Sequence, residues 1–68
     1  GKNQKAVLSA IQAGYQKGEQ VTAQDILELA EEALPDKGGN SKQRAKEAVK
    51  GLVDLGHVVE NGGIYELA

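Results

Sequence analysis

The chain has 68 residues, a formal net charge of −2 and a hydrophobic fraction of 40%, and it contains no cysteine, methionine, tryptophan or phenylalanine. A chain of this length has room for one small domain that buries roughly 60% of its unfolded surface, which argues against a two-lobed active-site cleft. No apolar run approaches the ~20 residues of a membrane span, and without cysteine the usual Cys/His zinc sites cannot form, so we expect a soluble, cytoplasmic protein without a metal.

Two amphipathic helices are predicted in the first half of the chain. Apolar residues at helical spacing predict a first helix over residues 3–17, which ends near Gly18. A second helix is predicted over residues 23–34, because a Thr-x-x-Asp capping box begins it and Pro35 cannot continue it. Val21, an apolar residue between two polar ones, is predicted to form a single rung of a strand before the second helix.

A loop and a third helix follow. Residues 35–40 include two glycines that are free to take positive φ angles, which predicts a turn. The third helix is predicted over residues 41–55, with Asn40 or Ser41 as its N-cap and Gly56 as its C-terminal glycine.

The chain ends in a predicted β-hairpin. Residues 57–60 and 64–67 are short β-prone runs, and the Asn-Gly-Gly sequence between them is a strong hairpin signal. We therefore expect a mostly helical α+β fold in which residues 1–68 form one domain. Gly1, in place of an initiator methionine, is interpreted as a remnant of cutting this domain from a longer protein. The predicted core consists of Val7, Leu8, Ile11, Ile26, Leu27, Ala30, Ala45, Val49, Leu52, Val58 and Tyr65, and Leu55 is placed on the buried face of the third helix.

Charge is unevenly distributed along the chain. Residues 19–36 contain six acids and no base, whereas residues 37–50 contain five bases and one acid. On a helical wheel the apolar residues of the third helix occupy one face, and its basic and amide side chains point away from that face. Such a helix suits the major groove of DNA, because Lys, Arg and Gln side chains reach phosphates and base edges.

The same charge pattern has an interpretation without nucleic acid. Five bases and one glutamate could simply keep a small helix soluble, with Arg44 or Lys46 meeting acids on the second helix. Charge alone does not decide between the two interpretations.

Three helices followed by a hairpin, with the segment "AKEAVKGLVDLGHVVENGGIYEL", resemble the winged-helix family of helix-turn-helix domains. The resemblance extends over essentially the whole chain, from Lys5 to Leu67. In this family the quoted segment is the recognition helix running into the wing. The chain looks most like the small winged-helix domains of larger DNA-transacting proteins, such as the C-terminal parts of plasmid or phage replication helicases and primases.

The resemblance implies a non-catalytic DNA-binding module of a larger replication protein, whose third helix and wing tip contact DNA. Phosphates would be contacted mainly by Lys and Arg, and Gln43 is the best candidate for a base edge. The Gly-Gly-Asn-Ser turn before the third helix could also bind one phosphate. The candidate DNA-binding residues are Lys37, Asn40, Ser41, Lys42, Gln43, Arg44, Lys46, Glu47, Lys50 and Asn61.

Two features depart from a typical DNA-binding winged helix. The wing has no Lys or Arg, and Glu60 lies beside its turn, so a cationic wing in the minor groove is not available. The second feature is Glu47 in the middle of the displayed face of the third helix, although a carboxylate can accept a hydrogen bond from the amino group of cytosine. Many winged helices bind other proteins, and the acidic second helix beside the basic third leaves a protein-docking module as the alternative function.

No motif supports catalysis. Neither "GKNQK" nor "GGNSK" has the spacing of a phosphate-binding loop. His57 is the only histidine and is predicted to be a half-exposed strand residue. We therefore expect no enzyme activity, no cofactor and no small-molecule substrate. The acids of the second helix that are predicted to face solvent are Glu28, Glu31 and Glu32.

Overall fold

The computed structural model describes residues 2–35 and 38–68, and in these ranges it contains three helices and three strands. In chain order they are α1 (Lys2–Gly14), β1 (Val21–Thr22), α2 (Ala23–Ala33), α3 (Ser41–Asp54), β2 (Val58–Asn61) and β3 (Ile64–Leu67). The strands form one antiparallel sheet with the order β1-β3-β2. The predicted α+β fold, three helices followed by a wing-like hairpin, is confirmed.

The last strand holds the sheet together, because it pairs with strands from both halves of the chain. Val21 of β1 is the register partner of Tyr65, and Glu60 of β2 is the partner of the same residue on its other side. The predicted rung at Val21 is confirmed and extends to Thr22. Because β1 leads directly into α2, the sheet connects the hairpin to the helices.

Each local signal for α2 and the hairpin has its expected geometry. Thr22 is the N-cap of α2, and its Oγ1 accepts a 3.2 Å hydrogen bond from the backbone N–H of Asp25. Leu34, which precedes proline, has an extended ψ of 133° and ends the helix. The hairpin turn consists of Gly62 and Gly63, whose φ angles are 61° and 85°. Two successive positive φ angles are what a two-residue type I′ turn requires.

The core lies where the three helices meet the sheet. Its buried residues include Val7, Ile11, Val21, Ile26, Ala30, Leu34, Ala45, Ala48, Val49, Leu52 and Val58. Leu8, Leu27 and Tyr65, which were predicted to be core residues, are only partly buried and pack against this cluster. All three border surface grooves, so each leaves part of its side chain accessible.

The predicted end of α1 is wrong, and the reason is tertiary. The helix ends at Gly14, although the apolar spacing continues to Tyr15. Lys17 instead forms a parallel bridge with Leu67, and the N–H of Gly18 donates a 3.4 Å hydrogen bond to the Leu67 carbonyl. The backbone after α1 thus pairs with the end of β3 and does not continue the helix.

Smaller corrections concern the ends of α3 and the start of β2. Leu55 is 64% exposed rather than buried, because α3 ends at Asp54 and Leu55 lies in the turn that follows. His57 is exposed and precedes β2, so the predicted first strand begins one residue too early. Asn40, which directly precedes α3, has a positive φ of 67°. Asn tolerates this left-handed conformation better than most residues.

Candidate nucleic-acid interface

The first turn of α3 begins at Asn40. The backbone N–H of Arg44 donates a 2.9 Å hydrogen bond to the Asn40 carbonyl, which closes the first helical turn. The Asn40 side chain makes no capping hydrogen bond and is exposed. The Asn40 amide therefore lies at the surface beside the N-terminal turn of α3.

Lys42, Lys46 and Lys50 are all exposed and follow one another at intervals of four residues along α3. Side chains at this spacing lie on the same side of a helix, one turn above another. We call these three residues the lysine stripe. The stripe is held outward because Ala45, Ala48, Val49 and Leu52 are buried against the other elements.

Gln43 and Glu47 form a second exposed row on α3. The Gln43 Nε2 donates a 3.2 Å hydrogen bond to Oε2 of Glu47, one turn further along the helix. Both side chains are exposed. The Glu47 carboxylate thus orients the amide of Gln43, which is the candidate for a base contact.

Two of the residues predicted to contact DNA also make hydrogen bonds within the protein. The Arg44 Nη2 donates hydrogen bonds to the carbonyl oxygens of Gly38, at 2.9 Å, and Gly39, at 3.2 Å. The Ser41 hydroxyl donates a 2.8 Å hydrogen bond to Oε1 of Glu31 on α2. Arg44 therefore binds the two glycines before α3, and Ser41 joins α3 to α2.

The remaining predicted site residues lie apart from the lysine stripe or outside the described part of the chain. Asn61 is exposed at the end of β2, next to the hairpin turn. Lys37 lies outside the described residues. The structure thus gathers Asn40, Lys42, Gln43 and Lys46 on one surface around the start of α3 and leaves Asn61 at the wing tip.

Acidic side chains border the lysine stripe on the side of α2. A groove of about 200 Å³ runs between α2 and α3, with Leu27 and Ala45 as its apolar lining. Its charged lining comes from both helices: Glu28 and Glu31 on α2, Lys42 and Lys46 on α3. Glu31 is partly buried, so the prediction that it faces solvent is wrong, whereas Glu28 and Glu32 are exposed as predicted.

A second groove, of about 360 Å³, lies between α3, α2 and the hairpin, and we call it the wing groove. It is lined by Leu27, Val49, Val53 and Tyr65, with Lys46, Lys50 and Glu60 as its charged residues. Sequence reasoning missed this site, because its members come from three separate elements. One signal was available: a two-residue turn at Gly62 and Gly63 places Glu60 opposite Tyr65.

Other kinds of site are not found in the part of the chain that the structure describes. No group of three or more His, Cys, Asp or Glu residues within it could hold a metal ion. No helix formed by these residues is long and apolar enough to span a membrane.

Comparisons with protein-family models, with curated proteins and with solved structures find no match for this chain.

Proposed function

We propose that this chain is a non-catalytic, cytoplasmic DNA-binding module of the winged-helix type that belongs to a larger DNA replication protein. The observation that carries the proposal is the lysine stripe, three exposed ammonium groups in line on the helix that precedes the hairpin. A line of Lys side chains along one helix suits the phosphate backbone, because each lysine acts as a point charge with three donors.

The same surface offers one route to base contacts. Gln43 and Glu47 lie beside the stripe, and their hydrogen bond leaves the other Glu47 oxygen and the Gln43 carbonyl as acceptors. Acceptors at this position match the exocyclic amino groups of cytosine and adenine in the major groove. Phosphate contacts would supply most of the affinity, and this pair would supply any base preference.

Acids on α2 and on the hairpin lower the expected affinity for DNA. Glu28 and Glu31 line the same groove as two of the lysines, and Glu60 lines the wing groove beside the third. Their negative potential offsets part of the attraction to phosphate, so we expect the isolated chain to bind in the range of non-specific complexes, about 10⁻⁴ to 10⁻⁶ M. In a larger or multimeric protein, linked DNA-binding sites would add their affinity to that of this weak site.

A protein-docking function is the second candidate, and the groove between α2 and α3 favours it. An apolar lining with acids on one side and lysines on the other is a surface that a helix or loop with complementary charges could occupy. A docking surface of this kind predicts contacts on both α2 and α3, whereas the DNA proposal predicts contacts on α3 without α2.

The test is an NMR titration with a short DNA duplex, in which amide shifts show the contact surface. We expect shifts in α3 and loss of binding in a Lys46→Glu/Lys50→Glu double variant. The matched control is Lys2→Glu/Lys17→Glu, which makes the same change in net charge at two exposed lysines that do not belong to α3. Unchanged affinity in the α3 variant, or an equal loss in both variants, would contradict the proposal.

A further inference from the structure

The wing groove has an apolar surface that phosphate contacts do not require. Leu27, Val53 and Tyr65 come from α2, α3 and β3, and all three are partly buried. Val49, which is buried, lies behind them. An accessible apolar lining in a groove of about 360 Å³ beside a basic helix therefore needs its own explanation.

Charged groups of opposite sign border this apolar surface. Lys46 and Lys50 come from the α3 side, one helical turn apart, and both are exposed. Glu60 comes from the hairpin, and its Oε2 accepts a 2.9 Å hydrogen bond from the N–H of Gly63. The hairpin turn thus orients this carboxylate. Because Glu60 and Tyr65 are register partners, the acid and the aromatic ring lie at the same level of the hairpin.

A ligand for the wing groove needs an apolar face, an anionic group and a hydrogen-bond donor. A nucleotide of a single strand has all three: a base with two π-faces, a phosphate and, in three of the four bases, an exocyclic amino group. Base stacking on an aromatic side chain combined with lysine contacts to the backbone is how proteins hold single strands. In a duplex the faces of each base are covered by its neighbours, and exposing them requires unstacking.

We propose that the wing groove holds one unpaired nucleobase on Tyr65, with the adjoining phosphates on Lys46 and Lys50, so that the module prefers single-stranded DNA to duplex DNA. This inference rests on the proposed function, because both use the same two lysines. It goes further in assigning roles to Tyr65 and Glu60, neither of which lies on α3. Charge complementarity selects the occupant: two lysines line the groove from α3 and one oriented carboxylate lines it from the hairpin, which suits an anionic nucleotide with a base amino group.

The experiment compares a single-stranded oligodeoxynucleotide with a duplex of the same length. We expect the single strand to bind roughly five- to a hundredfold more tightly, the factor that stacking of one base supplies. Tyr65→Leu should remove this advantage and leave duplex affinity unchanged, because it deletes the ring and keeps an apolar side chain. Tyr65→Phe, which keeps the ring, should retain the advantage.

A second measurement does not depend on the folding of the leucine variant. Tyr15 and Tyr65 are the only aromatic residues of the chain, so in a Tyr15→Phe variant all tyrosine fluorescence comes from Tyr65. Single-stranded DNA should quench this fluorescence through stacking, and duplex DNA should not.

The outcomes separate the two proposals. If neither form of DNA binds, the proposed function fails and this inference fails with it. If the duplex binds as tightly as the single strand, or if Tyr65 fluorescence does not change, the inference is overturned and the proposed function stands. Shifts of Tyr65 and Val53 on addition of an acidic amphipathic peptide, without such shifts on addition of single-stranded DNA, would also overturn it and favour a protein occupant.

Discussion

The Ser41 hydroxyl donates a 2.8 Å hydrogen bond to Oε1 of Glu31, and this contact joins the first turn of α3 to the last turns of α2. Both side chains are partly buried, so water only partly competes for the bond. The contact links α3, which carries the lysine stripe, to α2. It therefore helps to set the position from which α3 displays the lysine stripe.

Replacing Ser41 with alanine should lower the free energy of unfolding by about 1 kcal/mol, the usual net value of one hydrogen bond. Urea denaturation followed by helical circular dichroism measures the change. Ser9→Ala is the control for the same chemical change without this contact: Ser9 is exposed in the interior of α1, where alanine is the better helix former, so no loss of stability is expected. Equal stability of the two variants would show that the Ser41 contact contributes nothing.

Leu52→Ala should be the more damaging of two leucine truncations near the end of α3. Leu52 is 1% exposed, so its removal leaves a cavity and should cost about 2 to 5 kcal/mol, a large share of the stability of a small domain. Leu55→Ala makes the same chemical change at a side chain that is 64% exposed, and we expect less than about 0.5 kcal/mol. Denaturant titration of both variants checks this ranking. A midpoint that barely shifts in Leu52→Ala would contradict it.

The salt dependence of DNA binding should reflect phosphate contacts made by the three lysines of the stripe and none made by Arg44. Three neutralised phosphates predict a slope of log K against log salt of about −3. Lys50→Gln should make the slope less steep by about 1, because one phosphate contact is lost. Arg44→Gln should leave the slope nearly unchanged, since the Arg44 guanidinium binds the Gly38 and Gly39 carbonyls. A slope that changes equally in both variants would show that Arg44 reaches the DNA.

Tyr15 should make the fold sensitive to alkali. Burial raises the pKa of the Tyr15 phenol above 10.0, and the negative charges of Asp25, Glu19 and Glu28 raise it further. A raised pKa means that the fold favours the neutral phenol. This contribution to stability is therefore fully present below the unfolded-state pKa of about 10 and is lost as the pH rises through the folded-state pKa.

The measurement for Tyr15 is a series of urea titrations across this pH range. The stability of the native chain should decline relative to that of Tyr15→Phe as the pH rises above about 10, because the variant has no phenol to ionise at this position. Tyr65→Phe, which leaves Tyr15 as the only tyrosine, allows its ionisation to be followed directly by absorbance. A constant stability difference across the range would contradict the assignment.

Local signals were enough to predict α2, the hairpin and most of α3. Each of these elements ends at residues whose own backbone preferences decide the conformation, such as Leu34 before a proline or Gly62 and Gly63 with positive φ angles. The exposure of the lysine stripe was predictable in the same way, because helical periodicity separates it from the buried face of α3. These features need no information about distant residues.

Tertiary structure decided the features that depend on backbone and side-chain partners far along the chain. α1 ends early because Lys17 and Gly18 pair with Leu67, about fifty residues away in the sequence. The wing groove exists because three elements bring Leu27, Val53 and Tyr65 together. Charge and periodicity describe one segment at a time, whereas these contacts depend on how the segments pack against one another. The sequence by itself therefore indicated a basic helix, and only the fold placed an aromatic groove beside it.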